Sequence, residues 1–180
     1  MDADLRKSVL KGRYKTNASK YGLSHYLSGQ ASISDISCNT NIENFYVIFS
    51  GPVPPNPSEL LGNDAFRLLL EYLRNEYDYV IVDTPPLGSV IDGAVAARYC
   101  DGTVIVVESG AISYKFAQKV KEQLEKVDCR ILGVILNKVN MSGKGYYGAY
   151  YGKYYGKYYG KYYGNTEEGG LHSVVVQKGL

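Results

Sequence analysis

The chain has 180 residues, of which 45% are hydrophobic, and a formal net charge of +2. This length suits one globular domain with a tail, and the small net charge favours neither nucleic-acid nor membrane binding. Three widely spaced cysteines without a CxxC pair favour reduced, buried thiols over a metal site: Cys38, Cys100 and Cys129. No apolar run approaches the roughly 18 residues of a membrane span, and the charged start MDADLRK does not resemble a signal peptide.

Strands and helices alternate along the chain. The pattern predicts strands at 45–50, 79–83, 103–107 and 131–136 and helices at 64–75, 92–99 and 113–127. Between the first strand and the first helix lie an irregular Pro-rich loop at 51–57 and a turn capped by Ser58. Asp92 is predicted to be the N-cap of the second helix. Strands that are apolar along their whole length indicate a parallel sheet with both faces covered. We therefore predict a doubly wound α/β fold.

The carboxylate of Asp83 ends the apolar run YVIVD, which has the form of a Walker B motif. In such folds ligands bind beyond the carboxyl ends of the strands. Because Mg²⁺ keeps several waters and also takes phosphate oxygens, one strand-end carboxylate is enough to hold it. Asp83 could instead cap the loop that follows, but the Thr-Pro-Pro after it favours the metal.

Asp2 and Asp4 occupy alternate positions, so in an extended segment their side chains point to the same side. One can bind metal while the other accepts a proton from a hydroxyl group. Without Asp83 both would be interpreted as solvated acidic residues. Arg6 can neutralise a phosphate or pair with one of them, and the sequence does not choose.

Asn137 follows the last predicted strand. Its amide can form a paired hydrogen bond with an adenine edge, although Asn is also frequent in loops because of its turn geometry. Neither histidine has a predicted partner, so His25 and His172 are interpreted as surface residues.

Tyrosine doublets recur every four residues in the C-terminal part of the chain, separated by Gly and by Lys or Ala. The pattern is neither helical nor strictly alternating, and it indicates a flexible, low-complexity tail. Its exposed phenols can act as multiple phosphate acceptors or as a sticky aromatic tract. The cluster consists of Tyr146, Tyr147, Tyr150, Tyr151, Tyr154, Tyr155, Tyr158, Tyr159, Tyr162 and Tyr163.

Four segments in order resemble the bacterial tyrosine kinases, autokinases that regulate capsular and exopolysaccharide synthesis. DADLR at 2–6 resembles their Walker A′ motif, GPVPPNPSELL at 51–61 their Pro-rich loop, YDYVIVDTPP at 77–86 their Walker B motif, and 146–163 their autophosphorylation tail. The resemblance implies a P-loop NTPase fold of the deviant Walker type, with ATP, Mg²⁺ and tyrosine as substrates.

The resemblance also implies roles for individual residues. Asp2 would be the base toward the tyrosine hydroxyl, Asp4 and Asp83 would hold Mg²⁺, and Asn137 would lie near adenine, with Arg6 as a further cofactor-binding candidate. The implied partners are a transmembrane activator or polysaccharide co-polymerase, further copies of the chain and a tyrosine phosphatase. The implied location is the cytoplasmic face of the cell membrane, reached through a partner or a missing N-terminal part.

One family feature is missing, because the sequence contains no Walker A loop of GxxxxGK[ST] type. That loop would supply the backbone amides and the lysine that hold the phosphates, along with a central strand. We therefore expect a truncated member, inactive alone, with unpaired apolar strand edges. Its parts would be a partial kinase domain (1–142), a tyrosine tail (143–164) and an unassigned extension (165–180).

Three functions remain open at the level of sequence. The first is a tyrosine autokinase, or the larger part of one. The second is a non-catalytic phosphoacceptor and interaction module, phosphorylated by an intact kinase. The third is a partitioning-type ATPase, which shares the A′ and B motifs but is disfavoured by the tyrosine cluster and the Pro-rich loop.

Overall fold

The computed structural model describes residues 1–14 and 20–139, together with the backbone of a strand at 172–178. It is an α/β structure. The helices are α1 (Leu10–Arg13), α2 (Leu23–Leu27), α3 (Ile33–Ile36), α4 (Pro57–Leu61), α5 (Asp64–Glu76), α6 (Asp92–Ala97) and α7 (Tyr114–Glu125). The strands are β1 (Ser37–Asn39), β2 (Tyr46–Ile48), β3 (Tyr79–Thr84), β4 (Gly102–Glu108), β5 (Ile131–Asn137) and β6 (His172–Lys178).

Every strand and long helix predicted from residue 45 to residue 137 is present, with ends that shift by at most two residues. Two caps are wrong. Helix α4 follows Asn56 and has Pro57, not Ser58, at its start, and α6 follows Ile91, so that Asp92 is its first helical residue rather than its cap. Both side chains bond elsewhere, as described for the site below.

The sheet has the order β3-β6-β4-β5, in which β4 and β5 are parallel and β6 is antiparallel to both of its neighbours. Residues 1–3 lie on the other side of β3. Asp83 N donates to Met1 O at 2.9 Å and Ala3 N donates to Asp83 O at 2.7 Å, while Asp2 N donates to Ile48 O at 2.8 Å. The short N-terminal segment therefore joins the β1–β2 pair to the main sheet.

Strand β6 corrects the expectation for the C-terminal extension. Residues 165–180 had no assigned role and the sheet was expected to lack a central strand, yet His172–Lys178 lies between β3 and β4. The segment contains three consecutive valines, which suit a central strand because β-branched side chains favour extended backbone. The predicted disordered tail at 143–164 lies outside the described residues.

The helices cover one face of the sheet. Val80, Val82 and Ile105 point toward this layer and are buried with Phe66 and Leu69 of α5. Both steps β3–α6–β4 and β4–α7–β5 move in the same direction across the sheet, and right-handed crossovers then place both helices on the same side.

On the opposite face apolar side chains remain exposed in the part of the chain that is described. Ile81 is 51% exposed and Val134 is 62% exposed. The expectation that both faces are covered is therefore wrong for these residues. An apolar strand indicates that a face of the sheet favours burial, but it does not indicate which segment buries that face.

The described helices include none that is both long and apolar enough to cross a membrane. All three cysteines are free thiols, but only Cys129 is buried, whereas Cys38 and Cys100, also predicted to be buried, are half-buried. Cys129 is buried against Thr103, and burial raises the pKa of Cys100 to about 12, so that its thiol stays protonated.

Candidate active site

Asp2 and Asp83 are direct neighbours on two parallel segments of the sheet. Paired residues of parallel strands project from the same face, so the two carboxyl groups share one side of the carboxyl edge. The sequence suggested this pairing only through the order of the motifs, since 80 residues separate the two segments. The backbone bonds of residues 1–3 to β2 and β3 fix it.

Asp2 is the more enclosed of the two carboxylates, with 1% of its surface exposed. Burial raises its pKa above the usual value, although hydrogen bonds from the Ser8 hydroxyl and from the backbone of Asp4 and Ser50 oppose the shift. Asp4 N lies 3.2 Å from Asp2 Oδ1. A carboxylate that is costly to keep charged is a better proton acceptor than a solvated one, which suits the predicted role of a base.

Asp4 organises the turn that follows the short strand. Its Oδ1 accepts hydrogen bonds from the backbone of Arg6 at 3.0 Å and Lys7 at 2.9 Å. Only one carboxylate oxygen is used in these bonds, and the side chain is half-buried. Asp4 is therefore held beside Asp2 with its carboxylate at the surface of the edge.

Arg6 makes a bidentate ion pair with Asp92, at 2.7 Å from Nε to Oδ2 and 3.0 Å from Nη2 to Oδ1. The Ser58 hydroxyl donates to Asp92 Oδ1 at 2.6 Å and accepts from Arg6 Nη2 at 3.0 Å. Asp92 is fully buried. Burial alone would raise its pKa, but the bonds from Arg6 and Ser58 outweigh it and lower the pKa below the usual value.

We call Arg6, Ser58 and Asp92 the clamp. It joins three segments that are far apart in sequence: the turn after Asp4, the helix that ends the Pro-rich loop, and the helix that follows the Walker B strand. The sequence left open whether Arg6 binds a phosphate or pairs with Asp2 or Asp4. In the structure it pairs with Asp92 instead. Its binding to a cofactor stays a prediction.

The Pro-rich loop docks on the segment before α2 through two glycines. A side chain on Gly22 would come within 2.5 Å of Gly51 N, and Gly51 has a φ of 82°, which L-residues rarely adopt. His25, interpreted from sequence as a surface residue, is half-buried here and accepts from Gly22 N at 3.1 Å. Leu23 N and Ser24 N donate to Phe49 O and Ser50 O at 2.7 and 2.9 Å. This docking fixes the backbone beside Asp2.

Asn137 ends β5, and β6 and β4 separate that strand from β3. It is exposed, and its Oδ1 accepts from Lys138 N at 2.9 Å, while Lys138 Nζ lies 3.3 Å from Glu108 Oε1. The structure thus brings Asp2, Asp4 and Asp83 together but places Asn137 further along the same edge. Its contact with adenine stays a prediction.

The acidic residues fit a hard divalent cation, since a buried and a half-exposed carboxylate stand side by side at an open edge. Within the described ranges no group of three or more His, Cys, Asp or Glu side chains forms a metal site. Mg²⁺ does not need one, because phosphate oxygens and water complete its shell. The described residues do not include a phosphate-holding loop of Walker A type, and the tyrosine cluster lies outside them.

Ser8, Ser58 and Asp92 were missed as parts of the site. Asp92 carried a signal, since an acidic residue at the start of a helix after a Walker B strand can face the edge. Its partner could not be inferred, because 86 residues separate it from Arg6.

The fold and this edge define a nucleotide-binding α/β domain of the P-loop type. A family model described as "AAA domain" matches residues 1–136. The chain is 47% identical over 146 residues to the tyrosine-protein kinase CpsD of Streptococcus agalactiae, covering 81% of this chain and 64% of that protein. The chain thus spans less than two thirds of that relative's length.

Solved structures give the same result. The kinase domain of the Escherichia coli tyrosine kinase ETK superposes with a TM-score of 0.75 at 38% identity, covering 80% of this chain and 56% of that one. The chimerical protein CapA2B2 superposes with a TM-score of 0.72 at 36% identity, covering 77% and 61%. The chain belongs to the AAA-domain family and, within it, to the bacterial tyrosine kinases.

Proposed function

We propose that this chain takes part in ATP-dependent protein-tyrosine autophosphorylation that regulates capsular or exopolysaccharide synthesis. The observation that carries the proposal is the pairing of Asp2 with Asp83 at the open edge, beside Asp4. Acidic side chains placed this way suit the magnesium ion of a phosphoryl-transfer site. CpsD and ETK, to which the chain is similar, are named tyrosine kinases, which favours this function over a partitioning ATPase.

Each residue of the edge has a distinct task in this proposal. Asp4 and Asp83 hold Mg²⁺, which neutralises phosphate charge when bound. Asp2 accepts the proton of the tyrosine hydroxyl, and burial, which raises its pKa, makes it a better proton acceptor than a solvated aspartate. The clamp holds the turn that carries Asp4 against the Pro-rich loop, so that the carboxylates keep their spacing.

A second function is favoured by two specific observations. The sequence has no GxxxxGK[ST] loop, and β6 already fills the sheet position between β3 and β4. Both suit a phosphoacceptor that an intact kinase phosphorylates. The tyrosines at 146–163 are then acceptors in either case, and the partners are a membrane-bound activator or co-polymerase, an intact copy and a tyrosine phosphatase. The proposed place of action is the cytoplasmic face of the membrane.

Trans-phosphorylation tests the shared part of the two functions. The purified chain is incubated with ATP, Mg²⁺ and the S. agalactiae relative, and phosphotyrosine is mapped by mass spectrometry. We expect phosphates at 146–163, and equal amounts on an Asp83→Asn variant, since an acceptor does not use its own metal site. The matched control has Phe at all ten tyrosines of the cluster.

An unmodified cluster in the presence of an active kinase would contradict the acceptor role. Phosphorylation that depends on Asp83 of this chain would favour the autokinase over the phosphoacceptor.

A further inference from the structure

Residues 85–91 join the acidic edge to the clamp, and we call them the edge loop. Strand β3 ends at Thr84 and helix α6 begins at Asp92. Asp83 therefore lies just before the edge loop, and Asp92 follows directly after it. Because the two carboxylates stand at its two ends, the position of this loop bears on both parts of the site.

The inner side of the edge loop packs against α6. Leu87 is 1% exposed. A side chain on Gly93 of α6 would come within 2.8 Å of Leu87 Cδ2 and within 2.9 Å of Thr84 Oγ1. Ser89 N donates to Pro86 O at 2.9 Å, which closes a turn in the middle of the loop. The loop thus lies directly on the helix, with a glycine at the point of contact.

The outer side of the edge loop faces a single aromatic ring. A side chain on Gly88 would come within 1.7 Å of Phe116 Cζ, 2.5 Å of Cε1 and 2.8 Å of Cε2. These three atoms form the far end of the ring. Phe116 therefore meets the backbone at Gly88 with the tip of its ring and not with the face.

Gly88 is required by this close approach and not by its backbone angles. Among the described residues the glycines with a positive φ are Gly29, Gly51 and Gly110. The backbone at Gly88 therefore suits any L-residue. The three atoms nearest to its missing side chain all belong to Phe116, so the ring is what excludes a larger residue.

The start of α7 fixes the place of Phe116. Ser113 caps this helix, since its Oγ accepts from Phe116 N at 3.3 Å and its carbonyl oxygen lies 3.1 Å from the same nitrogen. The ring is half-buried and packs against the hydrophobic core. Phe116 is thus a spacer of fixed length between α7 and the edge loop.

We propose that Phe116 is a positioning residue for the acidic edge and that Gly88 is the surface on which its ring bears. The ring holds the edge loop against α6, so that Asp83 and Asp92 keep their places at its two ends. The task of the positioned Asp83 rests on the proposed function, whereas the contact and its effect on the clamp do not. A contact made by the ring tip tolerates neither a longer nor a shorter side chain unless Gly88 changes with it.

The test uses the full chain with three single variants and one double variant. Gly88→Ala adds a methyl group to the loop, Phe116→Tyr adds a hydroxyl group at the tip of the ring, and Phe116→Leu withdraws the tip. The double variant combines Gly88→Ala with Phe116→Leu, so that the added methyl group meets a shorter partner. Gly133→Ala is the matched control, because a side chain there would have no atom within 4 Å.

Two N–H groups report the position of the edge loop. Val95 N donates to Ile91 O, the last carbonyl of the loop, at 3.0 Å. Arg6 Nε donates to Asp92 Oδ2 at 2.7 Å and so reports the clamp. Hydrogen exchange of both groups is followed by NMR, with the amides of α5 as the measure of overall stability.

We expect each single variant to speed exchange of both groups about tenfold and to leave α5 unchanged, since the loop opens locally. The double variant should return both rates to within about twofold of the wild type, because the two changes compensate. Gly133→Ala should change neither. Wild-type rates in Phe116→Tyr would overturn the proposal, since a ring that merely fills space can turn its hydroxyl group to solvent. So would a double variant whose rates equal the combined effect of its parts.

Two further outcomes also decide the matter. Faster exchange at Val95 with an unchanged Arg6 signal would show that the ring only packs the loop, which overturns the positioning role. Faster exchange throughout α5 would show that the contact supports the whole core, and it would overturn the proposal likewise. Neither measurement involves phosphoryl transfer, so this proposal and the proposed function fail separately.

Discussion

The acidic edge and the β3–β4 gap lie on opposite sides of the same strand and are built differently. At the acidic edge, residues 1–3 run parallel to β3, and the clamp ties the adjoining turn to two helices. In the gap, an antiparallel segment from the end of the chain pairs with β3 through its backbone alone in the described structure. One side is fixed by backbone bonds of residues 1–3 and by side chains drawn from several segments. The other is completed by one strand on a long connection.

The contacts around the acidic edge are of the kind that a catalytic site requires. The acidic edge is preorganised, as catalytic geometry demands, because a displacement of about 1 Å can cost roughly 10²-fold in rate.

Removal of the metal charge should have the largest effect. We consider a fusion in which the Walker A strand and loop of the S. agalactiae relative precede Met1. In that fusion Asp83→Asn keeps the side-chain shape but loses the charge that we propose holds Mg²⁺, so phosphotyrosine formation should fall by orders of magnitude. Quantitative mass spectrometry of the tyrosine cluster measures it, with Asp78→Asn as the control carboxylate of the same region. Equal loss in both variants would contradict a specific role for Asp83.

The effect of Asp2 should be smaller and of another kind. Asp2→Asn in the same fusion should slow transfer by about 10²–10⁴-fold, the usual contribution of general-base assistance, and leave nucleotide binding largely intact. Calorimetry measures Mg·ATP affinity and single-turnover kinetics measures transfer. Loss of affinity without a separate effect on transfer would show that Asp2 is a metal ligand rather than a base.

The clamp should affect stability. Arg6→Gln leaves the buried Asp92 carboxylate with Ser58 alone, and we expect a loss of about 2 kcal/mol in the free energy of unfolding. This is below the value for a fully buried pair because Arg6 is 40% exposed and solvent screens it. Chemical denaturation measures the loss, and Arg67→Gln, in an exposed pair with Glu71, should change little.

The stabilisation by the clamp should also depend on pH. The pKa of Asp92 is lower in the folded chain than in the unfolded one, where it is about 3.9. The contribution is therefore fully present above that value and is lost as the pH falls through the folded pKa. The difference between wild type and Arg6→Gln should shrink below about pH 4. A constant difference across this range would indicate that packing rather than charge holds the clamp.

The charge of the tyrosine cluster should give the smallest and most graded effect. Lys144, Lys153, Lys157 and Lys161 are its only charged residues from 144 to 163. Each phosphate adds about −1.5 to −2 charges, so two or three cancel the lysines and further ones make the segment anionic. Oligomers should then dissociate in proportion to the total phosphate. Light scattering on a graded Tyr→Phe series of the fusion checks this, and control by one particular tyrosine would contradict it.

The sequence predicts the fold from residue 45 to residue 137 well because each element there has a clear hydrophobic periodicity and residues that are typical of its ends. Asn63 and Ser113 cap α5 and α7 as such residues do, and Asp83 ends a continuous apolar run. The same reasoning fails where the deciding contact is remote. Ser58 and Asp92 were interpreted as local caps, and only the structure shows that they share one arginine.

Strand β6 could not be predicted from the sequence for a related reason. A seven-residue segment such as HSVVVQK has strand propensity, but nothing in it indicates that a gap exists between two other strands. That gap follows from a crossover that skips one position, which is a property of the assembled sheet. The exposed face at Ile81 and Val134 has the same origin, since right-handed crossovers in one direction cover only one side.

We propose that this chain holds the acidic half of a tyrosine-kinase site and its acceptor tyrosines, and that it needs a phosphate-holding loop of a kind that residues 1–180 do not contain. Phosphotyrosine on the purified chain and on the Walker A fusion, each incubated alone with ATP and Mg²⁺, tests it most directly. The account predicts no phosphate on the chain and multiple phosphates at 146–163 on the fusion. Strong phosphorylation of the unfused chain without any added kinase would contradict it.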